Sequence, residues 1–169
     1  MNLSQPAISM NNLTLTRDGE TDIIATRRFK ASPDALYRAH TDPELIRQWV
    51  LGPPGWSMTV CVNEAWPGGR IHYEWQHEDG QRFGITGEML EIESGTRIVH
   101  SERMELDDGT AEYRVETRFE ADGEGALLTL RMIFADEATR ETMIETGMEH
   151  GMEASYARVD PLLTSPGGQ

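Results

Sequence analysis

From Trp56 to Phe134 apolar and polar residues alternate in run after run, and from Asp136 onward the alternation stops and apolar residues recur at helical spacing. Alternation puts the apolar side chains of a strand on one face. "WSMTVCVNEA" sets Trp56, Met58, Val60 and Val62 against Ser57, Thr59, Cys61 and Asn63. "RIHYEWQH" sets Ile71, Tyr73 and Trp75 against His72 and Glu74, and "RFGITGEMLEIE" carries Phe83, Ile85 and Met89. "AEYRVETRFE" and "ALLTLRMIF" continue with Tyr113, Val115, Leu130 and Met132. Gly- and Asp-rich turns ("WPGG", "EDGQ", "SGT", "DDGT", "ADGEG") separate the runs, which predicts an antiparallel meander.

The stretch "DEATRETMIETGMEHGMEASYARVDPLL" brings Met143, Gly147, Met148, Gly151, Met152 and Tyr156 onto one stripe. This spacing predicts one long amphipathic helix of about six turns, with Glu141, Glu145, Glu149 and Glu153 on its other faces. A curved sheet cannot bury its concave face on itself, so the helix must cross it. The expected fold is α+β, a helix grip: a curved antiparallel sheet of about seven strands wrapped around a long C-terminal helix.

Upstream, "DIIATRRFK" reads as the first strand, and two short helices follow it. Ser32-Pro33-Asp34 and Asp42-Pro43-Glu44 each supply an N-cap, a proline at the first helical position and an acid at the positive end of the helix dipole. The second helix must stop near Leu51, because Gly52-Pro53-Pro54-Gly55 follows and Trp49 and Trp56 bracket the break. "LTLTRDGETDII" fits either a small hairpin or a frayed lead into the first strand. The expected division is residues 1–20 as a tail or short hairpin, 21–163 as a single domain, and 164–169 as a disordered C-terminus.

Lys and Arg number 15 against 29 Asp and Glu, a net charge of −14, which argues against nucleic acid and anionic membrane surfaces as partners. No stretch is long and apolar enough for membrane insertion, and "MNLSQPAISMNNLT" lacks the pattern of a secretory signal, so a cytoplasmic location is expected. Cys61 is the single cysteine, no Cys/His cluster has metal-site spacing, and neither a metal nor a cofactor is expected. No nucleotide-binding or nucleophile motif occurs.

"RRFKASPDALYRAHTDPELIRQWVLGPPGW", "GGRIHYEW" and "DGQRFGITGEMLEIESGTRIVHSE", followed by the final helix, resemble the SRPBCC (START-like) superfamily, in the branch similar to the C-terminal domain of the heat-shock-protein-90 ATPase activator. The resemblance runs from about Asp22 to Leu163, and "TDPELIRQW" with "GPPGW" is its most specific part. It implies a cavity between sheet and helix and no single activity. Members include binders of small apolar molecules, cyclases and dehydratases acting on polyketide or aromatic substrates, and stress-linked co-chaperone modules. A small apolar or amphipathic ligand is the leading expectation; a homodimer and a chaperone partner remain open.

The residues expected to line that cavity are Trp56, Met58, Tyr73, Trp75, Phe83 and Ile85 from the first strands of the meander. To these are added His100, Met104, Tyr113 and Met132 from the later strands, and Met143, Gly147, Met148, Gly151 and Met152 from the helix. Methionine fills irregular volumes, and glycine on a helix face leaves either close packing or open space. His100 and Glu102 share the parity of Met104, which would aim them inward as an acid–base pair, whereas the uniformly polar "HSER" favours a surface pair. His72 has outward parity, and Glu145 and His150 flank the helix stripe as rim residues.

Overall fold

The period-two runs form one antiparallel sheet of nine strands in the order β1-β2-β3-β9-β8-β7-β6-β5-β4. The computed structural model describes residues 7–10, 12–106 and 109–164. Its strands are β1 (Ile8–Met10), β2 (Leu13–Asp18), β3 (Asp22–Phe29), β4 (Trp56–Asn63), β5 (Arg70–His77), β6 (Arg82–Glu93), β7 (Arg97–Leu106), β8 (Gly109–Asp122) and β9 (Gly125–Phe134). "LTLTRDGETDII" is the β2–β3 hairpin, with Leu13 and Leu15 fully buried. Two strands therefore precede the one read as first. Residues 1–6 and 11 of the expected tail, 165–169 of the expected C-terminal end, and Asp107 and Asp108 of the "DDGT" turn lie outside the described residues.

Both short helices form as their caps require. In α1 (Pro33–Thr41) the Ser32 hydroxyl accepts from the Ala35 amide at 3.2 Å, and in α2 (Pro43–Trp49) the Asp42 carboxylate accepts from the Glu44 amide at 2.9 Å. α1 packs on β8 and β9, and α2 on β4, so the pair closes one end of the sheet.

The C-terminal stretch crosses the concave face, but not as one helix. It is α3 (Glu137–Glu145), α4 (Met148–Tyr156) and α5 (Val159–Thr164). The first break falls at Gly147, whose φ of +77° is left-handed and cannot continue a right-handed helix. A stripe at helical spacing survives this break, because the side chains on either side still face the sheet.

Glu153 also departs from its expected place. It is not on a solvated face: its side chain is 6% exposed and takes a bidentate ion pair from Arg27 of β3, both bonds at 2.9 Å. The Arg27 guanidinium also lies 4.7 Å from the centre of the Phe29 ring. Removing either partner strands a buried charge. Glu153→Gln or Arg27→Met is expected to cost about 3–5 kcal/mol in denaturant unfolding, while the double change Arg27→Met with Glu153→Leu costs less than either alone. Single variants that unfold like the wild type would show the pair to be dispensable.

Candidate functional site

Between the concave face and α3–α4 lies a cleft of about 810 Å³. Its sheet wall is Trp75, Phe83, Met104, Tyr113, Val115, Leu130 and Met132, interrupted by the carboxylate of Glu102. Opposite stand Met143, Gly147, Met148, Gly151 and Met152, with Ser155 and Tyr156. Gly147 serves the helix break. A Cβ at Gly151 would meet only Pro53, at 4.0 Å, so that glycine leaves open space in the helical wall.

The mouth is the segment that joins α2 to β4. Trp49 to Pro53 and Trp56 line it. Four contacts hold this loop although proline denies it regular structure. The Trp75 indole donates to the Val50 carbonyl at 2.6 Å, Arg158 to the Trp49 carbonyl at 3.3 Å, the Gly52 amide to the Ser155 hydroxyl at 2.8 Å, and the Trp49 indole to the Ala39 carbonyl at 2.8 Å. Trp49 also stacks on Tyr156 at 5.5 Å, which ties the helix pair to α4. Trp75 stacks on Phe83 at 5.4 Å, and Trp56 meets the His77 ring edge-on at 5.1 Å.

Four residues named from the sequence are not in the cleft wall. Met58 pairs with Trp75 across β4–β5 but sits on the edge strand. Tyr73 and Ile85 pair with each other and lie deeper in the sheet, where Asn63 donates to the Tyr73 hydroxyl at 2.6 Å. His100 stands behind Glu102. Val60 points away from the concave face, because a bulge between Met58 and Val60 reverses the parity of β4 and turns Cys61 to the side of Tyr73. Burial raises the Cys61 thiol above its ordinary pKa, so it stays protonated and unreactive.

The pair His100–Glu102 is inward, not on the surface. His100 pairs with Val115 and Glu102 with Tyr113 across β7–β8, and both partners are buried. The His100 Nε2 lies 2.9 Å from Glu102 Oε1, with side-chain exposures of 17% and 18%. Tyr113 donates its hydroxyl to the same carboxylate. Burial alone would raise the Glu102 carboxyl, but the hydrogen bond and charge of His100 and the Tyr113 hydroxyl outweigh it and hold it below its ordinary range. Burial, with the Glu102 charge added, pushes the hydroxyls of Tyr73, Tyr113 and Tyr156 up, so all three stay protonated. Chemically, this is an ionised carboxylate in an apolar wall, bonded by the protonated Tyr113 phenol and backed by an imidazole. It can accept a hydrogen bond or a proton from a molecule in the cleft. Among the described residues, no group of three or more His, Cys, Asp or Glu side chains is placed to hold a metal ion.

His40 is a buried group that the sequence reading passed over. It packs between Trp49 and Phe119, at 4.8 and 5.0 Å, and its Nδ1 donates to the Leu36 carbonyl at 2.8 Å. The pattern "YRAH", with histidine one turn after a buried leucine, carried the signal. Burial lowers its pKa to about 4, the Leu36 bond opposing and His100 adding to the shift. Between pH 6.5 and 4 the unfolded chain binds a proton that the folded one refuses, so stability falls as pH falls through that window, by roughly 3 kcal/mol in total. His40→Gln is expected to flatten that slope in pH-dependent unfolding; an unchanged slope would place its source elsewhere.

The family described as "Activator of Hsp90 ATPase homolog 1-like protein" matches residues 30–164. Among solved structures, a protein from Rhodobacter sphaeroides is 29% identical with a TM-score of 0.84, covering 90% of this chain and 98% of its own. A protein from Mycobacterium smegmatis is 19% identical (TM-score 0.77; 95% of this chain, 98% of its own). A protein from Aeromonas hydrophila, described as AHSA1-like, is also 19% identical (TM-score 0.65; 88% and 95%) and shares the fold. No curated protein matches the sequence.

Proposed function

The chain belongs to the activator of Hsp90 ATPase homolog 1-like family of the SRPBCC superfamily, and from that premise we propose that it binds a small apolar or amphipathic molecule between its sheet and C-terminal helices. The cleft carries this reading. Its volume suits a molecule of ordinary ligand size, and its walls are methionine, aromatic and aliphatic side chains with few polar groups. Methionines on both walls accommodate varied shapes. The mouth loop is held by side chains of β5, α4 and the α4–α5 turn and by a backbone carbonyl of α1, so the opening is preformed. Among the described residues no helix is long and apolar enough to cross a membrane. The large exposed apolar residues, Trp66, Phe83 and Ile133, sit on separate elements, which favours the cleft over an interaction surface as the working site.

Gly151→Leu tests the reading. The new side chain would project into open space beside Pro53, and leucine favours helix more than glycine does. Native mass spectrometry against apolar and amphipathic compounds is expected to show one saturable site, weakened about tenfold or more in the variant while the melting temperature holds or rises. Absence of any saturable binding by the wild type would overturn the proposal.

A second reading, proton-transfer catalysis, is favoured by one observation: Glu102, backed by His100, lines the cleft. Polyketide-like ketones incubated with the protein in deuterated water would then exchange protons next to their carbonyl groups, and Glu102→Gln would stop it. Equal exchange with the variant would remove this reading.

A further inference from the structure

Glu102 is the one carboxylate in the cleft wall among the described residues, and its position constrains what can fill the cleft. The basic residues that reach the cleft are Arg82, exposed on β6, and His150, whose side chain is 63% exposed. Neither is a hydrogen-bond or ion-pair partner of Glu102, whose partners are His100 and Tyr113. Two such bonds leave part of the carboxylate's acceptor capacity unused, since two oxygens offer about four lone-pair sites.

We propose that the cleft selects molecules with an apolar body and one hydrogen-bond-donating head, a hydroxyl or an ammonium, and that Glu102 receives that head while the Trp75–Phe83 stack and the methionines take the body.

The inference rests on the cleft being a binding site and adds to it the chemistry of the bound molecule. A purely apolar occupant would displace water from Glu102 and give nothing back, leaving a charged acceptor desolvated. An occupant with a carboxylate head would set a second negative charge against Glu102 in a protein of net charge −14. A donor head avoids both penalties. An ammonium head gains further from the electron-rich faces of Trp75 and Tyr113 in the same wall. His100 and Tyr113 are positioning residues here: each bonds the carboxylate and holds it in the cleft wall.

Four matched probes separate the possibilities by titration calorimetry: naphthylethylamine, naphthylethanol, ethylnaphthalene and naphthylacetate. The wild-type protein is expected to bind the amine and the alcohol about tenfold or more tightly than ethylnaphthalene, the scale of a hydrogen bond to a charged group, and naphthylacetate most weakly. In Glu102→Gln, which keeps the side-chain shape, the amine is expected to lose its advantage and naphthylacetate its penalty. Ethylnaphthalene binding as well as the donors would overturn the inference and leave the cleft reading standing. Naphthylacetate binding best would also overturn it. No binding by any probe would overturn both. The order of the four probes on the wild type decides the matter even if the variant does not fold.

Discussion

The bidentate pair between Arg27 and Glu153 fixes where the C-terminal segment crosses the sheet. An apolar stripe alone lets a helix slide or rotate on a greasy face, because hydrophobic contact has no direction. A guanidinium fork on a carboxylate has one geometry, and in a buried setting an offset would leave both charges unpaired. With α4 pinned to β3 through Glu153, Met148 and Met152 line the cleft, and Ser155 and Tyr156 reach the mouth loop.

The rest of the cleft follows from breaks in regular structure. The left-handed Gly147 lets the chain leave α3 and re-enter as α4 at a new angle, and Gly151 withholds a side chain next to Pro53. Gly52 to Gly55 end α2 and return the chain to the sheet at Trp56. Trp49 and Trp75 beside that turn face aromatic rings and carbonyls, and this holds the Gly-Pro-Pro-Gly segment without regular structure. Trp49 rests on Tyr156, and Trp75 holds Val50. The same residues that keep the loop in place form the rim of the cleft.

Local signals carried most of the architecture. Alternation located β4 to β9, and Ser32 and Asp42 act as the caps their positions require. What stayed hidden depended on partners distant in sequence or on one backbone angle. Glu153 looks solvated until Arg27, 126 positions away, is placed beside it. The bulge after Met58 has no local signature, yet it reverses the parity of Val60 and Cys61. For His100 and Glu102 the parity shared with Met104 points inward and the polar "HSER" outward; the pairing with Val115 and Tyr113 decides for inward. Gly147 was legible as a glycine on the stripe, but its left-handed φ was not. The cleft's apolar walls were thus readable in outline, and its polar centre only as one of two alternatives.

Methyl nuclear magnetic resonance of the methionines tests the central claim most directly, since these side chains report from the cleft and from the core around it. On titration with naphthylethylamine, the methyl signals of Met104, Met132, Met143, Met148 and Met152, all in the cleft wall, are predicted to shift together and saturate together. Met89, fully buried away from the cleft, and Met58, on the edge strand, are predicted to stay in place. Shifts confined to Met58, or no saturable shift among the five, would contradict a binding cleft between sheet and helix.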